Sequence, residues 1–241
     1  MNNNLYETVC GICPHFRQQP VEKVSRWADS YLSLPFISNK DYFRLHKDIL
    51  TPTTFKVDVD QFTNEIEPYL QKFKHWGDKY WDQNRLGLPL VNITGELDEK
   101  NDPSTMPLDE HFSEYQTDII YHDPDIKEKT EICDLPSLEV LEPLFPYLIR
   151  SSILWWDKGA GFSKHIDVFL PATNLRLWGT TKPIDCHFEG FEIPEIEPGR
   201  LYVIDTSKPH WGSALFDNTY QFFLSLQLEA FTVIEKNLLP S

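Results

Sequence analysis

The sequence predicts a mainly β protein with N-terminal helices (an α+β chain), in which the C-terminal third forms an antiparallel, jelly-roll-like core. Six short runs rich in aromatic and β-branched residues occupy that third, and turn signals separate them. The chain has 241 residues, 41% of them hydrophobic and 14% aromatic, which is enough for one sizeable core. We therefore expect residues 1–241 to form a single domain. Residues 1–149 would be a helical and loop-rich part packed on a core at residues 150–230.

Three helices are predicted from apolar residues that recur three or four positions apart. Their apolar stripes lie within residues 21–31, 69–76 and 138–145. Pro68 near the start of the second stripe and Gly77 just past its end fit the usual helix boundaries. Pro146 is expected to end the third helix. All three helices are interpreted as covering a core.

The predicted strands follow in the C-terminal third of the chain. Their ranges are 151–156, 168–170, 175–178, 186–193, 201–205 and 220–228. Gly159, Pro171 and the pair Pro198-Gly199 are among the turn signals between them. Many short strands at this spacing are typical of an antiparallel sandwich or barrel.

The charge and the apolar runs of the chain argue against nucleic acids and membranes as partners. Lys and Arg number 22 against 37 Asp and Glu, a formal net charge of −15. No basic stripe is left for a phosphate backbone, so nucleic-acid binding is not expected. The apolar runs are shorter than the roughly 18 residues of a membrane helix, and the N-terminus lacks signal-peptide features. We expect a cytoplasmic protein without a membrane partner.

Two local features have both a simple and a functional interpretation. Between Glu96 and Glu142, 15 acidic and 3 basic residues form an acidic segment, interpreted as a loop-rich solvated surface. The alternative is a lid or a surface for a cationic partner.

Cys10 and Cys13 have the spacing of a redox pair or half a zinc site. With only nine residues before Cys10, incidental cysteines in a reducing compartment are favoured.

Metal-ligand spacing is the clearest chemical signal. Two histidines and one carboxylate on one face of a metal are typical of non-haem iron(II) sites. Ligands on one strand then appear as H-x-[DE], because residues i and i+2 share a face. Eight histidines and 37 acidic residues among 241 predict about one such tripeptide by chance, and three occur. They begin at His46, His165 and His187.

Context separates the three tripeptides. His46 lies in the helical half, and His187 leaves little chain before the next histidine, so both are interpreted as structural. His165-Ile166-Asp167 follows a strand and a glycine turn, and His210 comes 45 residues later, after another turn and strand. These features place His165, Asp167 and His210 in the order expected for a metal site.

The segment from Arg150 to Asp167, together with that from Glu197 to His210, resembles the aspartyl/asparaginyl β-hydroxylase-like branch of the iron(II)/2-oxoglutarate dioxygenases. The shared pattern is a strand with a serine, a glycine turn, H-x-D, an arginine strand, P-G-x-x-x-x-x-D and the distal histidine. Asn84-Arg-Leu-Gly-Leu-Pro-Leu90 also looks like the N-terminal region of that family. The resemblance covers roughly Asn84 to Leu228.

The resemblance implies a double-stranded β-helix (jelly-roll or cupin-like) with Fe(II) bound by His165, Asp167 and His210. It implies that Arg176 and, less directly, Ser152 contact 2-oxoglutarate. The implied activity is dioxygenase chemistry: hydroxylation of an unactivated C–H bond with molecular oxygen. The substrate would be a small molecule or a peptide, such as an amino acid or an aspartyl or asparaginyl side chain.

Two positions depart from the family pattern. Trp178 stands where a histidine is usual, and the final strand has Tyr220 or Gln221 where an arginine is usual. A neutral donor can hydrogen-bond a carboxylate but does not offset its charge, so weaker co-substrate binding is expected unless a lysine such as Lys164 or Lys182 compensates. The alternatives are a cupin-type metal protein that does not use 2-oxoglutarate, and a non-catalytic β-barrel binding protein.

Overall fold

The computed structural model describes residues 22, 24, 26, 29, 30, 33–76, 82–97, 103–105, 121–167 and 172–240. Cys10, Cys13, the predicted strand 168–170 and part of the acidic segment lie outside these residues. Within the described part of the chain, no helix has both the length and the apolar character needed to cross a membrane.

Short helices and eleven strands make up the described residues. The α-helices are α1 (Asn39–Leu45), α2 (Val59–Ile66) and α3 (Phe231–Lys236). Ser38 and Asp58 begin α1 and α2, since each side chain accepts a hydrogen bond from a backbone N–H of the first turn. The strands are β1 (Leu50–Lys56), β2 (Lys74–His75), β3 (Asp82–Pro89), β4 (Val91–Asn92), β5 (Glu128–Lys129), β6 (Leu148–His165), β7 (Leu175–Thr180), β8 (Ile184–Phe188), β9 (Arg200–Ile204), β10 (His210–Ala214) and β11 (Thr219–Leu226).

One curled antiparallel sheet holds most of these strands. Its order is β1-β9-β7-β11-β6-β10-β8, and β3 also pairs with β6. The first part of β6 pairs with β11, whereas its last residues pair with β10. One 18-residue strand therefore joins the two halves of the sheet. This arrangement confirms the predicted jelly-roll-like, double-stranded β-helix core.

The two faces of the sheet bury different groups. On the outer face, Leu177, Phe222 and Leu224 are fully buried in the main core, which includes Phe62 of α2. On the inner face, a second apolar cluster includes Trp178 and Phe188. Residues directly opposite each other in an antiparallel pair share a face, so the register identifies which side chains lie inside the curl.

The second and third helix predictions were right in location and wrong in type or length, and the described residues cover the first only in part. Val24 is helical and buried, but the other apolar positions of the first stripe lie outside the described residues. The second stripe is a 3₁₀ helix that ends at Lys72, because Lys74 and His75 pair with β3. The third is also a 3₁₀ helix and continues past Pro146 to Tyr147. Pro143 lies inside it and has no N–H for an α-helical hydrogen bond.

The predicted strands that lie within the described residues were found with shifted ends, and one predicted turn was wrong. The chain does not reverse at Gly159, because β6 continues through it with φ +84 at that residue. The run predicted at 186–193 is a strand only over β8, which ends at Phe188. Strands β1, β3 and β10 were not predicted.

Gly161 permits the close approach of β6 and β10, the strands that bring His165 opposite His210. A Cβ at Gly161 would overlap the carbonyl oxygen of Gly212 and lie 3.0 Å from the Cα of Ser213. Both neighbours are backbone atoms, so one strand has to move. We expect Gly161→Ala to lower the free energy of unfolding by about 1–3 kcal/mol. Chemical denaturation tests this.

The control for this variant is Lys158→Ala, at an exposed position of the same strand. Its free energy of unfolding should stay within about 0.5 kcal/mol of the unaltered protein. Equal stability of Gly161→Ala and Lys158→Ala would show that the two strands tolerate a wider separation.

Candidate metal centre

His165, Asp167 and His210 meet at the end of β6 and the start of β10. Ligand atoms from the three side chains lie within 4.8 Å of one another. The His165 Nε2 is 3.0 Å from Asp167 Oδ1, and the His210 Nε2 is 3.6 Å from Asp167 Oδ2. Among the described residues this is the one group of three or more such side chains with metal-binding geometry.

Backbone carbonyls orient both histidine rings. The Nδ1 of His165 is 2.7 Å from the carbonyl oxygen of Ser163, and the Nδ1 of His210 is 2.9 Å from that of Lys208. Because a carbonyl only accepts, each Nδ1 carries the proton and donates it. Each Nε2 therefore points at the Asp167 carboxylate and is the nitrogen that a metal would bind, an orientation typical of metal-bound histidines.

Arg176 keeps Asp167 ionised. Its Nη1 donates to Asp167 Oδ2 over 2.7 Å, and the arginine side chain is only 8% exposed. Burial would raise the pKa of the Asp167 carboxyl, but Arg176 and then His165 hold this pKa well below its usual range. Burial likewise would lower the pKa of His165, and the Asp167 carboxylate raises it by more. A negative ligand is thus present at the cluster before any metal arrives.

The two competing histidines lie elsewhere. His46 is buried, and its Nδ1 and Nε2 face the carbonyl oxygens of Tyr42 and Ile204 at 2.7 and 3.2 Å. His187 is 46% exposed, and its Nε2 is 2.8 Å from Asp185 Oδ1. Each histidine has partners that account for its position.

The register separates Gln221 from Tyr220, which the sequence left as alternatives. Gln221 is opposite Thr180, Phe223 is opposite both Ser152 and Trp178, and Ser225 is opposite Arg176. All of these residues therefore lie on the inner face. Tyr220 points the other way, and its ring packs edge-on against Phe62 at 5.6 Å. The structure thus brings Gln221 to the face of the site and leaves Tyr220 in the main core.

Trp178 contributes to the wall of the site rather than to the cluster of ligands. It is 3% exposed and shares its apolar cluster with Phe188. The Phe188 ring stacks on His210 with centroids 5.3 Å apart. Phe162 closes the other side of the cluster, with its ring 5.1 Å from His165 and 5.6 Å from His210. The buried His210 ring therefore lies between two aromatic rings, whereas the His165 side chain is 39% exposed.

The inner face also carries buried polar atoms without a hydrogen-bond partner among the described residues. They are Ser152 Oγ, Trp156 Nε1, Arg176 Nε, Thr180 Oγ1 and Gln221 Oε1. Four of these five atoms are able to donate a hydrogen bond. Buried polar groups nearly always have partners, so an unpartnered set on one face points to a bound molecule or ordered water. A donor-rich set of this kind suits a carboxylate.

Arg85 lies near the cluster, although the sequence did not single it out as a site residue. The segment that contains it, Asn84 to Leu90, was noted only as part of the family resemblance. This residue of β3 is buried, lies opposite Trp156, and has its guanidinium 5.1 Å from the Phe162 ring centroid. Its charge acts to lower the pKa of His165. A second buried arginine therefore lies near the cluster.

The two lysines considered as compensating cations are engaged elsewhere. The Nζ of Lys164 is 2.5 Å from Glu189, and the Nζ of Lys182 donates to the carbonyl oxygen of Asp217.

Comparisons with known proteins give distant structural likenesses. No family model and no curated protein matches the chain. A prolyl hydroxylase from Trichoplax adhaerens, solved with a peptide fragment of the hypoxia inducible factor oxygen degradation domain, is 13% identical. The match covers 91% of this chain and 98% of that chain, with a TM-score of 0.42.

Two smaller proteins match part of the chain. A predicted oxalate decarboxylase from Thermotoga maritima and a cupin 2 conserved barrel protein from Salinispora arenicola are each 13% identical over 36% of this chain. The matches cover 74% and 68% of those chains, with TM-scores of 0.27 and 0.24. At TM-scores this low, the fold assignment rests on the strand order and register of the chain itself.

Proposed function

We propose that this protein is an iron(II)- and 2-oxoglutarate-dependent oxygenase that hydroxylates an unactivated C–H bond. The observation that carries the proposal is the convergence of His165, Asp167 and His210 at the end of a curled sheet. Two histidines and one carboxylate are the ligand set of non-haem iron(II) oxygenases. The specific substrate class remains part of the proposal: an amino acid, or an aspartyl or asparaginyl side chain of a peptide.

The residues present fit an iron ion. Both Nε2 atoms point toward the Asp167 carboxylate, because both Nδ1 atoms donate to carbonyls. The carboxyl of Asp167 is ionised, and deprotonated ligands are what a metal requires.

The residues also fit a carboxylate co-substrate. The Nε of Arg176 and the Oγ of Ser152 are buried without partners on the same face as the cluster. A carboxylate entering a partly dry pocket needs a cation and hydrogen-bond donors, and these two residues supply both. Gln221, on this same face, supplies a neutral amide where an arginine is usual in the family that the sequence resembles.

The protein's own residues have distinct tasks in this proposal. When bound, iron and 2-oxoglutarate supply the oxidising chemistry that uses molecular oxygen to hydroxylate the substrate. Arg176 holds Asp167 through one nitrogen and presents another to the co-substrate. Phe162 and Phe188 pack against the His210 ring and, with Trp178, make this side of the centre apolar, which strengthens the electrostatic interactions there.

The first experiment needs no substrate. Fe(II) is added anaerobically to metal-free protein, followed by 2-oxoglutarate, and the visible metal-to-ligand charge-transfer band of the chelate is followed. We expect a band in the unaltered protein. Ser152→Ala should show a weaker apparent affinity for 2-oxoglutarate, because it loses one hydrogen-bond donor. Lys182→Ala is the matched control, because its ammonium group binds the carbonyl of Asp217 outside this pocket.

The outcomes separate the alternatives. Iron binding without a band would contradict 2-oxoglutarate use and favour a cupin-type metal protein, in line with the neutral Gln221. The absence of iron binding would leave a non-catalytic β-barrel binding protein.

A further inference from the structure

The turn between β9 and β10 supports two of the three candidate metal ligands. In this supporting turn, residues 205–209, the carbonyl oxygen of Thr206 accepts from the backbone N–H of Asp167 over 3.0 Å. The carbonyl oxygen of Lys208 accepts from the His210 ring over 2.9 Å. The position of the supporting turn therefore determines the backbone of one ligand and the ring orientation of another.

One carboxylate oxygen organises the supporting turn. Asp205 Oδ1 accepts from the backbone N–H of Ser207 over 3.1 Å and from its hydroxyl over 2.5 Å. It also accepts from the hydroxyl of Tyr42 over 2.9 Å, from a residue 163 positions earlier in the chain. Both Asp205 and Tyr42 are buried, at 5% and 2% exposure. In a buried environment, such hydrogen bonds to a charged oxygen contribute more than those at the surface.

Tyr42 is itself held firmly. The ring of His46 stacks on it with centroids 3.7 Å apart and an interplanar angle of 16°. Burial raises the pKa of Tyr42, so its hydroxyl remains a hydrogen-bond donor throughout the physiological pH range. The Nε2 of His46 lies 3.2 Å from the carbonyl oxygen of Ile204, the residue immediately before Asp205. Helix α1 is therefore attached to the chain directly ahead of the supporting turn.

We infer that Tyr42, acting through Asp205, is a positioning residue for the metal centre. The inference rests on the proposed metal site. Tyr42 contacts no candidate ligand, but its hydroxyl holds the Asp205 carboxylate that orders the supporting turn. The supporting turn then holds the backbone of Asp167 and the ring of His210 through its carbonyl oxygens. Replacing a group that hydrogen-bonds a metal ligand commonly weakens metal binding about 10–100-fold. Tyr42 acts through Asp205 and the supporting turn, and the two contacts from Ser207 remain, so we expect a loss at the lower end of this range.

The test is Tyr42→Phe, which removes the hydroxyl and keeps the ring that packs on His46. Co(II), whose visible spectrum reports its coordination, is titrated into the metal-free protein well below the melting temperature. We expect about tenfold weaker Co(II) binding and a changed visible spectrum. The matched control is Tyr202→Phe, because Tyr202 is also buried and its hydroxyl accepts from the backbone N–H of Glu197. Tyr202→Phe should bind Co(II) as the unaltered protein does.

A second pair of variants tests the link through Asp205. Asp205→Asn keeps an oxygen that accepts from Tyr42 and Ser207, so it should retain more Co(II) affinity than Asp205→Ala. Unaltered Co(II) affinity and spectrum in Tyr42→Phe would overturn the inference, whatever the affinity of Asp205→Ala. A lower melting temperature of Tyr42→Phe with unchanged Co(II) affinity and spectrum would also overturn it, because the role would then be structural alone. Failure of the unaltered protein to bind Co(II) would instead refute the proposed metal site.

Discussion

Replacing His210 by alanine is expected to abolish metal binding. The variant removes one of three converging ligand side chains. The His210 ring is only 5% exposed and is oriented by the Lys208 carbonyl, and a water molecule bound to the metal in its place would lack that support. We expect the affinity for Fe(II) or Co(II) to fall by more than about 100-fold, beyond the loss typical of supporting residues. Asp167→Ala should have the same effect. Titration with either metal, followed by visible absorption, measures it.

The matched control for this experiment is His187→Ala. His187 belongs to the second H-x-[DE] tripeptide of the β-rich region, but its ring stacks on Trp211 and its Nε2 meets Asp185. Metal affinity should be unchanged in this variant. If His187→Ala lost metal binding while His210→Ala kept it, the ligand assignment would be wrong.

Replacing Arg176 by alanine is expected to separate co-substrate binding from metal binding. A hydrogen bond to a charged group contributes about 1.5–3 kcal/mol, so 2-oxoglutarate affinity should fall by about 10–100-fold. Metal binding should be kept, because the three candidate ligand side chains remain. Anaerobic titration of Fe(II)-loaded protein with 2-oxoglutarate measures the first effect, and a metal titration measures the second.

Two results would contradict this role of Arg176. Unchanged 2-oxoglutarate affinity would show that the arginine serves Asp167 alone. Loss of metal together with co-substrate would show that the ion pair is needed to hold Asp167 in place. Arg176→Lys provides a further comparison, since it keeps the positive charge but loses the planar guanidinium group, which can hydrogen-bond two partners at once.

The convergence of His165, Asp167 and His210 could be predicted from sequence because its signal is mostly local. His165 and Asp167 are two residues apart at the end of a strand, and the turn and strand before His210 have recognisable residues. The hydrophobic runs located the core strands for the same reason. The ends of those strands were predicted less accurately, since they depend on pairing partners far along the chain.

The features that escaped prediction depend on long-range contacts. The choice between Gln221 and Tyr220 required the register of β11 against β7, which alternation within one strand does not fix. The roles of Arg85 and Tyr42 depend on strands and turns more than 70 residues away. A turn was predicted at Gly159 because glycine is common in turns, yet here its positive φ accommodates a bend within a continuous strand.

The continuity of β6 has a consequence for the cooperativity of unfolding. Its first half contributes Ile153 to the main core, and its last residue is a candidate metal ligand. A fluctuation that separates β6 from β10 therefore pulls on the same backbone that pairs with β11 and β3. The exposed metal end and the buried core share this one backbone, so a ligand bound at the centre should slow amide exchange along β6 beyond the residues that it contacts. A ligand bound at the centre would then stabilise the whole sheet.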